Sequence, residues 1–165
     1  MSQIIQPMMA YKNQHRLKNK KLEEYSKYLE DYLGDSPFGL DDRVDIADSP
    51  DGKVLLMKKK PVAAYFNDEI FPTIDGLLKT DADRAFVTVD MGAVRFVYNG
   101  ADIMAPGIVD ADKNIQEGDL VWIRDVDHKK PLAVGRAMTD GVTMIESDDG
   151  KVVKSLHHVG DGMFK

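Results

Sequence analysis

The stretch that decides the reading is "DMGAVRFVYNGADIMAPGI", residues 90–108. Small residues come in pairs around a short apolar run: Gly92-Ala93 before it, Gly100-Ala101 after it, Pro106-Gly107 close behind. Glycine loses more conformational freedom on folding than any other residue. Three bare points this close together therefore need a reason, either a positive φ or a molecule that must approach the backbone. The run predicts a short helix over residues 91–99, with Asp90 capping its first turn and Gly100 ending it in the left-handed conformation. Arg95 and Phe96 lie on that helix, one suited to a phosphate, the other to a base or to the core. In the plainer reading the glycines serve the chain alone, Gly100 as a C-cap and Gly107 as a bulge.

Outward from this stretch, "AFVTVD", "ADIMAPGI", "GDLVWIRDV", "PLAVGRAMT", "GVTMIES" and "KVVKSLHHV" read as strands, with Asp149-Gly150 as a hairpin turn between the last two. Short strands separated by turn residues predict a small β-barrel over residues 83–165. On the other side, Leu22, Tyr25, Leu29 and Tyr32/Leu33 recur at helical spacing within residues 17–33, and Gly34 supplies the stop. "RVDIAD", "KVLLMK" and "VAAYF" follow as strands, the first two joined at Asp51-Gly52, and a short helix is expected from Thr73 to Lys79. Residues 1–14 show no period and predict a ragged or strand-like lead-in. The chain thus reads as an α+β unit, residues 1–82, followed by a mainly-β unit. No flexible linker separates them, so the two are expected to pack together.

Composition narrows the functional classes. With 43% hydrophobic and 30% charged residues, the 165-residue chain can build a core and is not disordered by composition. The absence of cysteine excludes disulfides and thiolate chemistry. No apolar run approaches the ~20 residues of a membrane helix. The opening "MSQIIQPMMAYKNQHRLKNKK" puts apolar residues ahead of basic ones, the reverse of a secretory signal. A cytoplasmic protein, monomeric and off the membrane, is the default. A net charge of −6 argues against coating nucleic acid by bulk electrostatics. Any such contact must be local. Basic residues gather at Lys12, Arg16, Lys18, Lys20, Lys21 and Lys27, and again at Lys58, Lys59 and Lys60. A solvated helix face is the plain reading, and Lys18, Lys20 and Lys21 are the candidates for a partner contact.

Catalysis is not expected. His157 and His158 are neighbours on a strand and point to opposite faces, with no third ligand at a familiar spacing, so neither a metal nor another cofactor is expected. The aspartates at 41, 42, 45, 48 and 51 form no paired catalytic set, and no phosphate loop, nucleophile elbow or dinucleotide fingerprint is present. The nine methionines read as core and gap filling.

The motif order is more informative. Asp90, Gly92 and Ala93, then Gly100, Ala101, Pro106, Gly107 and Ile108, then Gly118, Asp119 and Val121, then Ala133, Val134, Gly135 and Ala137 resemble the PUA domain, an RNA-recognising pseudobarrel. With "IFPTI" at residues 70–74 and "SLHHVGDGMF" at residues 155–164, the chain from about residue 16 to 164 is similar to the malignant T-cell amplified sequence family and its archaeal relatives. The resemblance implies a pre-PUA α+β domain before the PUA domain, no catalysis, and a role in translation, where eukaryotic members act with density-regulated protein. The cysteines that those members can carry are absent here.

RNA recognition by shape or sequence targets unpaired ends and loops. The expected RNA surface comprises Gly92, Ala93, Arg95, Phe96, Asn99, Gly100, Ala101, Met104, Pro106, Gly107, Arg136 and Lys154. Its RNA would be ribosomal RNA or tRNA, and the first unit would meet a small-subunit protein or a translation-factor partner. The alternative is an accessory module for an RNA-modifying enzyme of the pseudouridine synthase or tRNA-guanine transglycosylase type. A pure protein-interaction module is the third reading.

Overall fold

The structure, a computed structural model, describes residues 11–165. Residues 1–10 of the expected lead-in lie outside the described residues, and its remainder contributes the strand β1 (Lys12–Arg16). Helix α1 (Asn19–Leu33) then turns Leu22, Ser26, Leu29 and Leu33 inward at helical spacing and stops at Gly34, φ +89°. Strands β2 (Asp45–Ser49), β3 (Gly52–Met57), β4 (Lys60–Phe66) and β5 (Glu69–Pro72) follow. They form an antiparallel meander in the order β1-β2-β3-β4-β5. The short helix expected from Thr73 is α2 (Ile74–Leu77). Thr73 caps it, its hydroxyl accepting from Gly76 N–H while donating to Pro61 C=O at 2.7 Å.

The second sheet takes β6 (Phe86–Val89), β7 (Ile103–Met104), β8 (Ile108–Ala111), β9 (Leu120–Asp125), β10 (Pro131–Ala137) and β11 (Lys151–His158). Its order is β7-β11-β10-β9-β6-β8, antiparallel except for the β6–β9 pair. This sheet is a pseudobarrel. Between β6 and β7 lies α3 (Met91–Tyr98), capped by Asp90, whose Oδ1 accepts from Ala93 N–H at 2.9 Å. Its far end closes with Gly100 N–H on Val97 C=O and Ala101 N–H on Phe96 C=O, the paired bonds that a left-handed Gly100 (φ +84°) makes possible.

Three sequence expectations are corrected. "GVTMIES" is not a strand but α4 (Gly141–Glu146). Asp140 caps it through Thr143 N–H at 2.8 Å, and Gly141 presses so close to Asp112 that a Cβ would stand 2.1 Å from the carbonyl oxygen. Asp149-Gly150 consequently joins a helix to β11 and is no hairpin turn. "ADIMAPGI" is broken by a single 3₁₀ turn at Ala105–Gly107 into β7 and β8, which lie on opposite edges of the sheet. β5 escaped notice as a strand because Phe71-Pro72 ends it, and proline is tolerated only on a sheet edge, the position β5 occupies.

Two cores result. One lies within the pseudobarrel around Val87, Ile123, Ala133, Met144 and Val153. The other fills the first unit but also takes Leu120, Trp122, Val134 and Phe164 from beyond it, so the joint between the sheets is core rather than surface contact. Polar groups at the joint are matched. Tyr32 Oη donates to Leu120 C=O at 2.6 Å, and Trp122 Nε1 to Arg84 C=O at 2.8 Å. Burial pushes the Tyr32 hydroxyl pKa up, which keeps it a donor.

Candidate nucleic-acid interface

Beside α3 the pseudobarrel opens into a cavity of about 670 Å³ with largely apolar walls. Of the residues expected at the RNA surface, Ala93, Phe96, Ala101, Met104, Pro106 and Gly107 line it. Phe96 and Met104 stand 53% and 46% exposed, which is unusual for large apolar side chains flanking one hollow. Gly92, Arg95 and Asn99 lie on α3 or its end but outside the lining, and Gly100 is taken up by the helix cap. The Arg95 guanidinium lies over the Phe96 ring, 4.8 Å from its centroid, so charge and aromatic face are presented together.

The bare points have different causes. At Gly100 the positive φ is the reason, and an added Cβ would also meet His158 Nε2 at 3.0 Å. Gly92 and Gly107 have no positive φ. A Cβ on Gly107 would approach only the Cβ of Ala93, at 3.1 Å, and one on Gly92 only the capping oxygen of Asp90, at 3.3 Å. Neither glycine is required by backbone packing.

Sequence reasoning did not find Val97, Asp102, Ile103 and Lys151 in this site, and took Asp90 for a cap alone. Lys151 reaches the cavity because β11 pairs with β7, setting Lys151 opposite Met104. Lys151 Nζ lies 3.4 Å from Asp102 Oδ2, and Asp102 Oδ1 accepts from Ser155 N–H at 2.9 Å. The amide bond and the lysine together hold the Asp102 carboxyl below the usual carboxylate range. Lys154, three residues further along β11, adds its positive charge to the same carboxylate. Asp90 and Asp102, the latter paired with Lys151, are the charged members of a largely apolar lining, and their carboxylates can accept from the exocyclic amino group of a base. Cations stand at the rim.

Two sets of expected residues lie elsewhere. Arg136 lies at the joint, donating to Glu69 Oε2 at 2.6 Å, to Gly118 C=O at 2.9 Å and to Phe66 C=O at 3.4 Å, and is not in the cavity lining. Its strand position beside Lys154 is real, but the side chain turns toward the first unit. Lys18, Lys20 and Lys21 sit at the beginning of α1, away from the cavity, where Lys21 pairs with Glu24 at 3.5 Å.

The end of β11 ties the units together. His157 Nε2 accepts from Ile74 N–H at 3.2 Å, so the ring proton is on Nδ1, which donates to Asp161 Oδ2 at 2.9 Å. Burial pushes the His157 pKa down, against the attraction of Asp161. His158 turns the other way, toward Gly100. Beyond them Phe164 is buried in the first core, its amide donating to Asp51 Oδ2 at 3.0 Å and its carbonyl accepting from Tyr11 Oη at 2.5 Å.

A pseudobarrel with a capped helix beside a small-residue hollow defines a PUA-domain protein, and the PUA domain family matches residues 85–159. An uncharacterized protein of Methanocaldococcus jannaschii is 43% identical over 155 residues, covering 93% of this chain and 96% of that protein. Translation machinery-associated protein 20 of Saccharomyces cerevisiae is 28% identical over 165 residues, covering 92% of this chain and 86% of its own length. The crystal structure of a hypothetical protein from Pyrococcus horikoshii superimposes with a TM-score of 0.80 at 35% identity, covering 90% of this chain and 96% of that one. The chain belongs to the malignant T-cell-amplified sequence family, of archaeal type, with a PUA domain as its second part. No helix among the described residues is long and apolar enough to cross a membrane.

Proposed function

We propose that this is a non-catalytic RNA-binding protein of the translation apparatus, an adaptor that contacts the small ribosomal subunit or tRNA through residues 83–165, while residues 1–82 meet a neighbouring protein. The observation that carries the reading is the largely apolar cavity edged by Phe96 and Met104, with Asp90, Asp102 and Lys151 among its lining and Arg95 and Lys154 nearby. Such a hollow admits an unstacked base, and Lys151 with Arg95 and Lys154 suits the phosphates on either side. A relative named for the translation machinery, aligned over nearly the whole chain, supports a translation-associated role.

Copurification from cells is the test. Ribosomal subunits or tRNA recovered with the tagged protein, and lost with Phe96→Ala, support the proposal. Recovery of an RNA-modifying enzyme in their place would transfer the protein to the accessory-module reading.

A further inference from the structure

A second cleft, of about 540 Å³, opens where the first unit meets the β9–β10 turn. Its floor is Arg124, only 9% exposed. Arginine is rarely this buried without a carboxylate, yet no carboxylate among the described residues lies within 4.0 Å of it. What holds it is aromatic: its guanidinium sits 3.8 Å from the Phe86 ring centroid and 5.6 Å from that of Trp122. Nε donates to Thr88 Oγ1 at 2.9 Å. The terminal amino groups have no acceptor among the described residues and are not sealed from solvent, so they are open to the cleft that Arg124 lines.

Around this fork stand His128, Lys129 and Lys130. Their turn is set rigidly. The buried Asp125 carboxylate accepts from the amides of His128 and Lys130, and Lys129 is held at φ +55°. Asp125 is thereby occupied with its own turn. Asp81 is the acid in the lining, and Asp110 attracts Arg124 from beyond pairing distance. Leu77, Leu78 and Pro131 form apolar shoulders.

We infer that this cleft holds a backbone phosphate of the RNA whose unpaired base enters the cavity beside α3. A recessed, stacked guanidinium with free donors matches phosphate geometry, and flanking lysines supply further charge. Continuity with the first site supports RNA as the occupant. Val126 N–H donates to Val89 C=O at 3.0 Å, tying the basic turn to the residue just before Asp90, which lines the cavity. The inference rests on the proposed RNA binding, and its test separates the two.

Fluorescence anisotropy with a labelled hairpin RNA bearing an unpaired tail is measured across a salt series for the parent protein. The same series is run for Lys129→Gln/Lys130→Gln, Arg124→Lys and Phe96→Ala. Both lysines are exposed, so the double variant should fold like the parent. The expected result is a salt slope lower by about two for the double variant, with correspondingly weaker binding at physiological salt. Arg124→Lys, which keeps charge but loses the fork and its stacking, should weaken binding about tenfold with little change in slope. A parent-like slope and affinity for the double variant, while Phe96→Ala weakens binding, overturns the phosphate site alone and leaves the cleft to a protein partner. A parent that binds none of this RNA overturns the function and the phosphate site together.

Discussion

Two regions of the molecule use glycine for opposite ends. At the seam where α2 lies against β4, a Cβ on Gly76 would stand 1.8 Å from the Val62 carbonyl oxygen, so the chain itself occupies the space. Beside α3, Gly92 and Gly107 leave room that only a side-chain atom borders, and their backbone is in an ordinary conformation. The first arrangement serves packing. The second keeps a surface low, with Ala93 and Gly107 facing each other across the hollow's wall. On the proposed function, these bare points are left open to the RNA.

That contrast is best broken where the effects are largest. Phe164→Ala empties a site in the first core and should cost about 3–5 kcal/mol, read as a lower denaturant midpoint for the whole chain. Were the tail only draped on the surface, the loss would be far smaller. Gly76→Ala drives a methyl group into the β4 backbone and should cost about 3 kcal/mol, against near-neutral stability for Gly92→Ala. Equal costs at the two sites would abolish the distinction.

Binding gives the converse measurement. Gly107→Val should leave the fold standing yet weaken RNA or ribosomal-subunit binding about tenfold, or ~1.4 kcal/mol. Parent-like binding would return that glycine to turn geometry. A smaller effect is expected from acid. His157 has a folded pKa below its unfolded value near 6.5, so the unfolded chain takes up the proton first. Its contribution is complete above that pH and is lost as pH falls below it, because the ring proton would displace the Ile74 amide. Denaturant midpoints at pH 7 and pH 5 should diverge more for the parent than for His157→Gln. Arg95→Ala is the gentlest test: stability within about 0.5 kcal/mol of the parent, with a salt slope lower by about one.

Much of this was readable in the residues because local signals agreed. Asp90, the apolar run and Gly100 each specify the same helix, and the hollow's small residues are contiguous in the chain. The failures arose where the deciding contact is distant. "GVTMIES" alternates like a strand, but Asp140 and the Gly141–Asp112 approach make it α4. Lys151 joins the cavity only through the β7–β11 pairing, and Arg136 is drawn to the joint by Glu69, Phe66 and Gly118, none of them its neighbours in the chain. Alternation along β10 places Arg136 on a face; it does not say which neighbour waits there.

Phe164 has one more consequence, for the order in which the protein is made. Domains usually fold as they leave the ribosome, the first before the second. Here the first unit's core is closed by Leu120, Trp122, Val134 and Phe164, all encoded downstream. During synthesis α1 and its sheet must therefore wait with apolar surface uncovered until residue 164 has emerged from the exit tunnel.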